Sequence, residues 1–375
     1  MIYFDHAAGT PVRPEIRNAY GQYLVEFSGN PEAAHAQGYA LRKKRRELDA
    51  RLFRALGIGC PDINKCVFYA ADATTLINAC GSLHGSPDAI AWGSMLDHAA
   101  YREVLARNFK RVEFFPLADN GQICACPENP APAQLIVISA VQSECGCCQD
   151  WAKWVKILRE TQPQAVILLD AVQSLDAVMN QLQRDCMPDW LLISGSKIGG
   201  GNTAALAALG ARAEEFRCKF EQLRKAHLIG RSDPVAAAAL VQAVELNCSE
   251  TENNVRKLHE LNSFLRGKLT GMTLPNGKKL ILTVPGEYAS DRILHFILPG
   301  YQAGVLVRLL SAENIMLASG SACESESGEP SRFLRALGYS KNDAYSGLRL
   351  SFAPENTLEE AAVFLQTLTK ILKNY

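Results

Sequence analysis

The chain carries no excess charge of either sign: its 375 residues include 39 Lys and Arg against 39 Asp and Glu, a formal net charge of zero. That total gives no electrostatic ground for a nucleic-acid or acidic-membrane partner. No run of about eighteen apolar residues is present, which argues against a membrane-spanning helix. The N-terminus enters a strand-like Ile2-Tyr3-Phe4 at once, and the sequence reading leaves no room for a signal peptide. Dense, regular cysteine spacing is also missing. The twelve cysteines are scattered along the chain, so they do not read as a secreted disulfide scaffold, and reduced thiols in a cytoplasmic protein are expected. Internal repeats and low-complexity tracts are absent as well.

What remains is the balance of an ordinary globular protein, 48% hydrophobic and 21% charged, long enough for one large or two medium cores. The basic cluster Arg42–Arg46 lies in a helical-looking stretch and reads as a solvated face rather than a docking patch. From about residue 65, short β-branched runs alternate with amphipathic ones. Strands are expected at 65–70, 88–93, 111–117, 134–139, 165–170, 190–194 and 203–209, with helices at 74–83, 99–108 and 150–160. This alternation predicts an α/β fold: a mostly parallel seven-stranded sheet flanked by helices. Beyond about residue 240 the rhythm changes to a smaller α+β pattern, with helices at 249–269, 301–311 and 358–374. Strands are expected there at 279–284, 291–298 and 347–352. The expected division is a large domain of residues 13–240 and a small domain of residues 1–12 and 241–375.

In open α/β sheets, ligands bind beyond the carboxyl ends of the strands. Asp170, Lys197 and the pair Asp97-His98 stand at such ends. Singly, each reads as a cap, a solvent-facing lysine or a structural histidine. Together they supply what pyridoxal phosphate (PLP) needs: an amine for the Schiff base, a carboxylate to keep the pyridine nitrogen protonated, and a flat group to stack on the ring. A lysine in a partly desolvated cleft has a lowered pKa, which makes it both nucleophile and base. Small hydrogen-bonding residues around Thr74 and Ser194 could hold the phosphate.

The chain also resembles a known family. Ile2-Tyr-Phe-Asp-His-Ala-Ala-Gly-Thr-Pro-Val12, Gly29-Asn-Pro-Glu-Ala-Ala-His35-Ala-Gln-Gly38, Asp97-His-Ala-Ala100, Glu144-Cys-Gly146 with Gln149-Asp150, Asp170-Ala-Val-Gln173-Ser, Ser194-Gly-Ser-Lys197, Ala318-Ser-Gly-Ser-Ala-Cys323-Glu-Ser325 and Leu348-Arg-Leu-Ser-Phe352 follow one another in order. They are similar to blocks of the cysteine desulfurases, class V, fold-type I PLP enzymes. The resemblance implies that Lys197 forms the Schiff base and moves protons, Asp170 pairs with the pyridinium, and Gln173 bonds the ring hydroxyl. His98 would stack on the ring and assist proton transfer. Thr74 and Ser194 would bind the phosphate, with Ala73 beside them. Arg349 would clamp the substrate carboxylate with two charge-assisted bonds, supported by Asn30. Cys323, in a serine- and glycine-rich loop, would take the sulfur as a thiolate.

The implied reaction converts L-cysteine to L-alanine with a persulfide on Cys323. The sulfur would pass to a scaffold or carrier protein, as in iron–sulfur cluster assembly, from a homodimer. The alternatives are another class V activity (selenocysteine lyase, aminotransferase or C–S lyase) and a weakened sulfur-carrier paralogue. Several family positions differ here. The phosphate-cradling segment is Asp72-Ala73-Thr74-Thr75, and a carboxylate at Asp72 either repels a phosphate or caps the following helix. Ser143 stands where an amide would sit near the ring hydroxyl, Ser196 stands where a histidine precedes the lysine, and Arg231-Ser-Asp-Pro234 lacks a threonine hydroxyl. The irregular Cys145-Gly-Cys147-Cys148 and Cys124-Ala-Cys126 lack the spacing of a zinc site, so no metal is expected.

Overall fold

The computed structural model describes residues 1–58, 66–179, 181–182, 186–209, 212–320 and 329–375. In chain order the strands are β1 (Ile2–Tyr3), β2 (Cys66–Ala70), β3 (Ser86–Gly93), β4 (Phe109–Phe114), β5 (Leu135–Ser139), β6 (Val166–Asp170), β7 (Trp190–Ser194), β8 (Ala204–Ala208), β9 (Ile281–Leu282), β10 (Ile293–Ile297), β11 (Ile315–Met316) and β12 (Gly347–Ser351). Among the described residues, seven of them form one sheet in the order β2-β8-β7-β6-β5-β3-β4. The pairings from β7 through β4 are parallel, and β8 runs antiparallel to both β2 and β7. The α/β reading and the mostly parallel sheet are therefore as expected.

The central strands are hydrophobic at every position because both of their faces are covered. In β5 and β6, Ile136, Ile138, Ile167 and Leu169 belong to one core with Trp154, Leu158 and the helix Pro234–Ser249. Their neighbours Leu135, Val137, Val166 and Leu168 face the other core, with Trp190, Tyr101 and Phe216. A period of two thus distributes one continuous apolar run between two layers of helices.

Helix Pro234–Ser249 is absent from the sequence reading for a physical reason. Val235, Ala237 through Val241, Ala243 and Val244 are all buried, and the first two turns are apolar on every side, so no polar stripe marks their period. Its start is built by Asp233, whose Oδ1 accepts the Val235 N–H at 2.8 Å, with Pro234 in the first turn. The expected helix at 249–269 begins at Thr251, after the first helix ends at Ser249. Helix Pro14–Glu26 also went unread.

A further core gathers Leu258, Leu261, Leu265, Phe296, Leu306, Leu348, Leu350 and Phe364 around β10 and β12. Phe4 joins it although it lies at the opposite end of the chain. Parallel pairing of β1 with β11 brings it there, and its ring sits edge-on to Phe352 and Phe364, with centroids 5.4 and 6.1 Å away. Among the described residues no helix is long and apolar enough to cross a membrane.

Phe4 is fully buried, so Phe4→Ala is expected to lower unfolding stability by about 3–5 kcal/mol, read from the midpoint of urea denaturation. A loss below about 1 kcal/mol would mean that the N-terminal strand is not anchored by this ring.

Candidate active site

The carboxyl ends of β6 and β7 open onto a cavity of about 230 Å³. Asp170 closes β6, where it pairs in register with Ser139 of β5 and Leu192 of β7. After β7 the chain makes a single 3-10 turn, Gly195–Lys197, which carries the lysine back over the sheet edge. The turn is too tight for a side chain at its first residue, since a Cβ on Gly195 would stand 2.9 Å from the Gly201 carbonyl oxygen. Lys197, Asp170, Gln173, His98, Ala73, Thr74, Ser143, Ser194, Ser196 and Arg349 all line this one cavity. Two expected residues stand apart. Asn30 is exposed and accepts the Glu32 N–H, outside the described lining. Cys323 lies outside the described residues.

The N-terminal segment closes the site with its main chain. Lys197 Nζ donates to the Ala8 carbonyl at 2.6 Å, and Gln173 Nε2 donates to the Ala7 carbonyl at 3.0 Å. The Thr10 N–H donates to the Ser196 carbonyl, and the Ala7 N–H to Ser351 Oγ. Arg349 is nearly inaccessible to solvent. Its Nη2 donates to Asp5 Oδ1 at 2.7 Å and its Nη1 to the Ser143 carbonyl at 3.0 Å, while Nε is buried without a hydrogen bond. Each terminal nitrogen retains a second N–H, so a two-pronged bond to a carboxylate uses those or displaces Asp5.

His98 caps helix Ala99–Asn108, with Nδ1 accepting the Ala100 N–H at 3.2 Å. As an acceptor, Nδ1 assigns the proton of the neutral ring to Nε2. Asp170 Oδ1 accepts the Val172 N–H at 2.8 Å. The buried Tyr101 hydroxyl makes no hydrogen bond of good geometry, yet it lies close enough to favour the ionised form of Asp170. Burial pushes the Asp170 carboxyl up to about 6, against the pull of that hydroxyl and of Lys197. Asp97, hydrogen-bonded to the Ser94 N–H and Ser139 Oγ, is pushed up to about 7 by burial, and the charge of Asp170 adds to its rise.

Several participants carry no sequence signal. The carbonyls of Ala7 and Ala8 have no side-chain signature, and Asp5 lies nearly the whole chain away from its partner Arg349. Tyr101 sits on the helix after His98. Gln142, which also lines the cavity, has a structural task. Its Oε1 accepts the Glu144 and Cys145 N–H groups and its Nε2 donates to the Leu96 carbonyl, so it builds the turn beneath Ser143.

In that turn burial holds Cys145 as a thiol and pushes Cys147 and Cys148 up to about 12, the condition of inert rather than reactive cysteines. Next to it, Ser331 Oγ donates to Glu144 Oε1, and a Cβ on Gly320 would lie 3.1 Å from the same oxygen. The described residues on both sides of the Cys323 segment thus meet one carboxylate beside the cavity wall.

The residues present fit the cofactor's ring end: an amine and a buried carboxylate that feel one another across one cavity, with an imidazole and a guanidinium in the same lining. Asp170 also sets a pH dependence. Its folded-state pKa of about 6 lies above the reference 3.8, so between these values the folded chain binds more protons than the unfolded one. Stability contributed here is present at low pH and lost as pH rises through about 6. Asp170→Asn in cofactor-free protein is expected to flatten this slope and to gain about 3 kcal/mol at pH 8, measured by urea denaturation from pH 4 to 8. An unchanged slope would contradict the burial of this charge.

Residues 2–204 match the Aminotransferase class-V family. Across its full length the chain is 25% identical to a NifS/IcsS protein homolog of Lactobacillus delbrueckii subsp. bulgaricus, covering 98% of that protein. It is also 25% identical to cysteine desulfurase IscS of Methanosarcina thermophila, with 99% of this chain and 92% of that protein aligned. Among solved structures, a NifS-like protein from Rickettsia africae superposes with a TM-score of 0.81 at 21% identity over 99% of both chains. A cysteine desulfurase from Thermococcus onnurineus does so with a TM-score of 0.76 at 17% identity, covering 100% of this chain and 95% of that one. With more than half of its length matched to that family and the same fold throughout, the chain is a member of the class V aminotransferases, similar to their cysteine desulfurase branch.

Proposed function

We propose that this chain is a PLP-dependent cysteine desulfurase that converts L-cysteine to L-alanine and holds the sulfur as a persulfide on Cys323. The observation that carries the reading is the convergence of Lys197, Asp170, His98 and Arg349 on one cavity. Lys197 would bind the cofactor's aldehyde, Asp170 its ring nitrogen, Gln173 and Ser143 its hydroxyl side, and Thr74, Ala73, Ser194 and Ser196 its phosphate. When bound, PLP supplies an electron sink for charge developing at the substrate's α-carbon.

The protein's own groups do the rest. Arg349 orients the substrate carboxylate. Lys197 Nζ would take the α-proton, with His98 Nε2–H assisting proton transfer. The Cys323 thiolate attacks the substrate sulfur, so that an S–S bond forms while the C–S bond breaks. The electron pair of the broken bond remains with the carbon skeleton, the β-carbon gains a proton to become the methyl group, and Lys197 Nζ returns a proton to the α-carbon to complete alanine. The acidity of Asp170 fits this role, because a cationic ring nitrogen beside it would reverse the effect of burial and hold it ionised.

The same reading includes two domains, of residues 13–240 and of residues 1–12 with 241–375. It also includes a homodimer in the cytoplasm, and a scaffold or carrier protein of iron–sulfur assembly as acceptor.

Cys323→Ala is expected to lower sulfide release from cysteine in the presence of a thiol reductant by about 10³-fold or more, the range for removing a nucleophile that acts as part of a unit. The yellow cofactor absorbance should be retained. Turnover equal to the parent's would remove Cys323 from the reaction.

A further inference from the structure

Asp72 and Asp170 are the acidic residues among the described lining of the cavity, and the Asp72 side chain has a defined task. It is the N-cap of helix Ala73–His84, and its Oδ1 accepts the Thr75 N–H at 2.7 Å. A helix start offers an anion a few N–H groups without intrahelical partners and the positive end of the dipole. Here the chain's own carboxylate already takes the Thr75 group. The remaining lining at this end consists of neutral donors: the hydroxyls of Thr74, Ser194 and Ser196, of which Ser194 and Ser196 are hydrogen-bonded to each other at 2.9 Å.

Among the described lining residues the cations are Lys197 and Arg349. Arg349 is paired with Asp5, and Lys197 is the amine assigned to the aldehyde. Asp72 and Thr74 also border an open surface groove of about 470 Å³ with Asn78, Leu228 and Ile229, so solvent reaches this end of the site. A phosphate monoester carries close to two negative charges at pH 7. It would meet a fixed carboxylate where a phosphate site calls for donors alone.

We propose that Asp72 is a specificity-determining residue that weakens the grip on a cofactor phosphate by supplying the anion for this helix start from the chain itself. The inference rests on the PLP reading for the identity of the ligand, and on the cap geometry for its mechanism. It follows that the phosphate contributes little to affinity in this protein, and that the ring and lysine contacts dominate retention of the cofactor.

The test compares PLP with pyridoxal, which lacks the phosphate, in the full-length protein and in Asp72→Ser. Serine is also a good N-cap, so the helix keeps its start; matching urea midpoints check this, and Asp72→Asn serves as a second capping variant. Dissociation constants come from absorbance titration, and inorganic phosphate is used separately in thermal denaturation. The expected result is that Asp72→Ser raises the preference for PLP over pyridoxal by about tenfold, the part of a close charge repulsion that survives at an exposed carboxylate. Inorganic phosphate should stabilise the variant more than the parent. A preference that stays within about twofold in both variants, with phosphate without differential effect, overturns the role of Asp72. If neither aldehyde reacts with the parent or the variants while phosphate still stabilises Asp72→Ser selectively, the role of Asp72 stands and the PLP reading falls. If neither aldehyde binds and phosphate has no selective effect, both fall.

Discussion

A carboxylate held away from water and an amine facing the same cavity set the terms for everything around them. Asp170 ends a strand whose both faces are covered, so its position is fixed by the sheet and its surroundings are poor in solvent. Burial alone raises its pKa to about 6 even with Lys197 in reach. A group in that state responds strongly to whatever enters the cavity. A cationic aromatic nitrogen would lower its pKa and be held in return, whereas a neutral guest would leave it half protonated near pH 6. The strength of this coupling comes from the low local dielectric, which makes a matched charge valuable and an unmatched one costly.

The second constraint is the N-terminal segment. Its first residues pair with β11 and send Phe4 into the core around β10 and β12. Over the next few residues its carbonyls hold Gln173 and Lys197, its Asp5 holds Arg349, and Thr10 binds the turn that carries the lysine. Residues 5–10 are therefore fastened to β12 on one side and to the β7 turn on the other. The large sheet alone cannot fix the site, because Arg349, which lines the same cavity, comes from β12. The segment couples the two, and its use of main-chain acceptors means that side-chain substitutions there act mostly through backbone position.

The parts of this arrangement that were readable beforehand are those with a one-dimensional signature. The buried strands announced themselves as apolar runs: Trp190–Ser194 was placed to the residue, and Asp170 and Lys197 were picked out because polar groups at strand ends interrupt such runs. Helix Ala99–Asn108 was also placed to the residue, its start marked by the capping His98. Helix Pro234–Ser249 was not, because its first two turns are apolar on every side and look alike at every phase. At the site, the ion pair between Asp5 and Arg349 joins residues 344 positions apart, and no local pattern encodes such a partner. Asn30 was carried over from a family block but stands exposed on a turn, where its side chain organises its own backbone. Asp72 was readable as either a repulsive charge or a cap, and the geometry makes it a cap.

The departures are not spread evenly. Lys197, Asp170, Gln173 and His98 share one cavity lining, while Asp72, beside Ala73 and Thr74 in the same lining, is a carboxylate that caps its helix. On the proposed reading, the lysine bond and the carboxylate pairing would hold the cofactor more than its phosphate contacts do. The most direct measurement is borohydride reduction of the purified protein after incubation with PLP, followed by peptide mapping by mass spectrometry. The predicted result is a single reduced pyridoxyl phosphate adduct on Lys197, abolished in Asp170→Ala at limiting cofactor. An unmodified Lys197, or adducts scattered over surface lysines with Asp170→Ala unchanged, would contradict the shared cavity as a cofactor site.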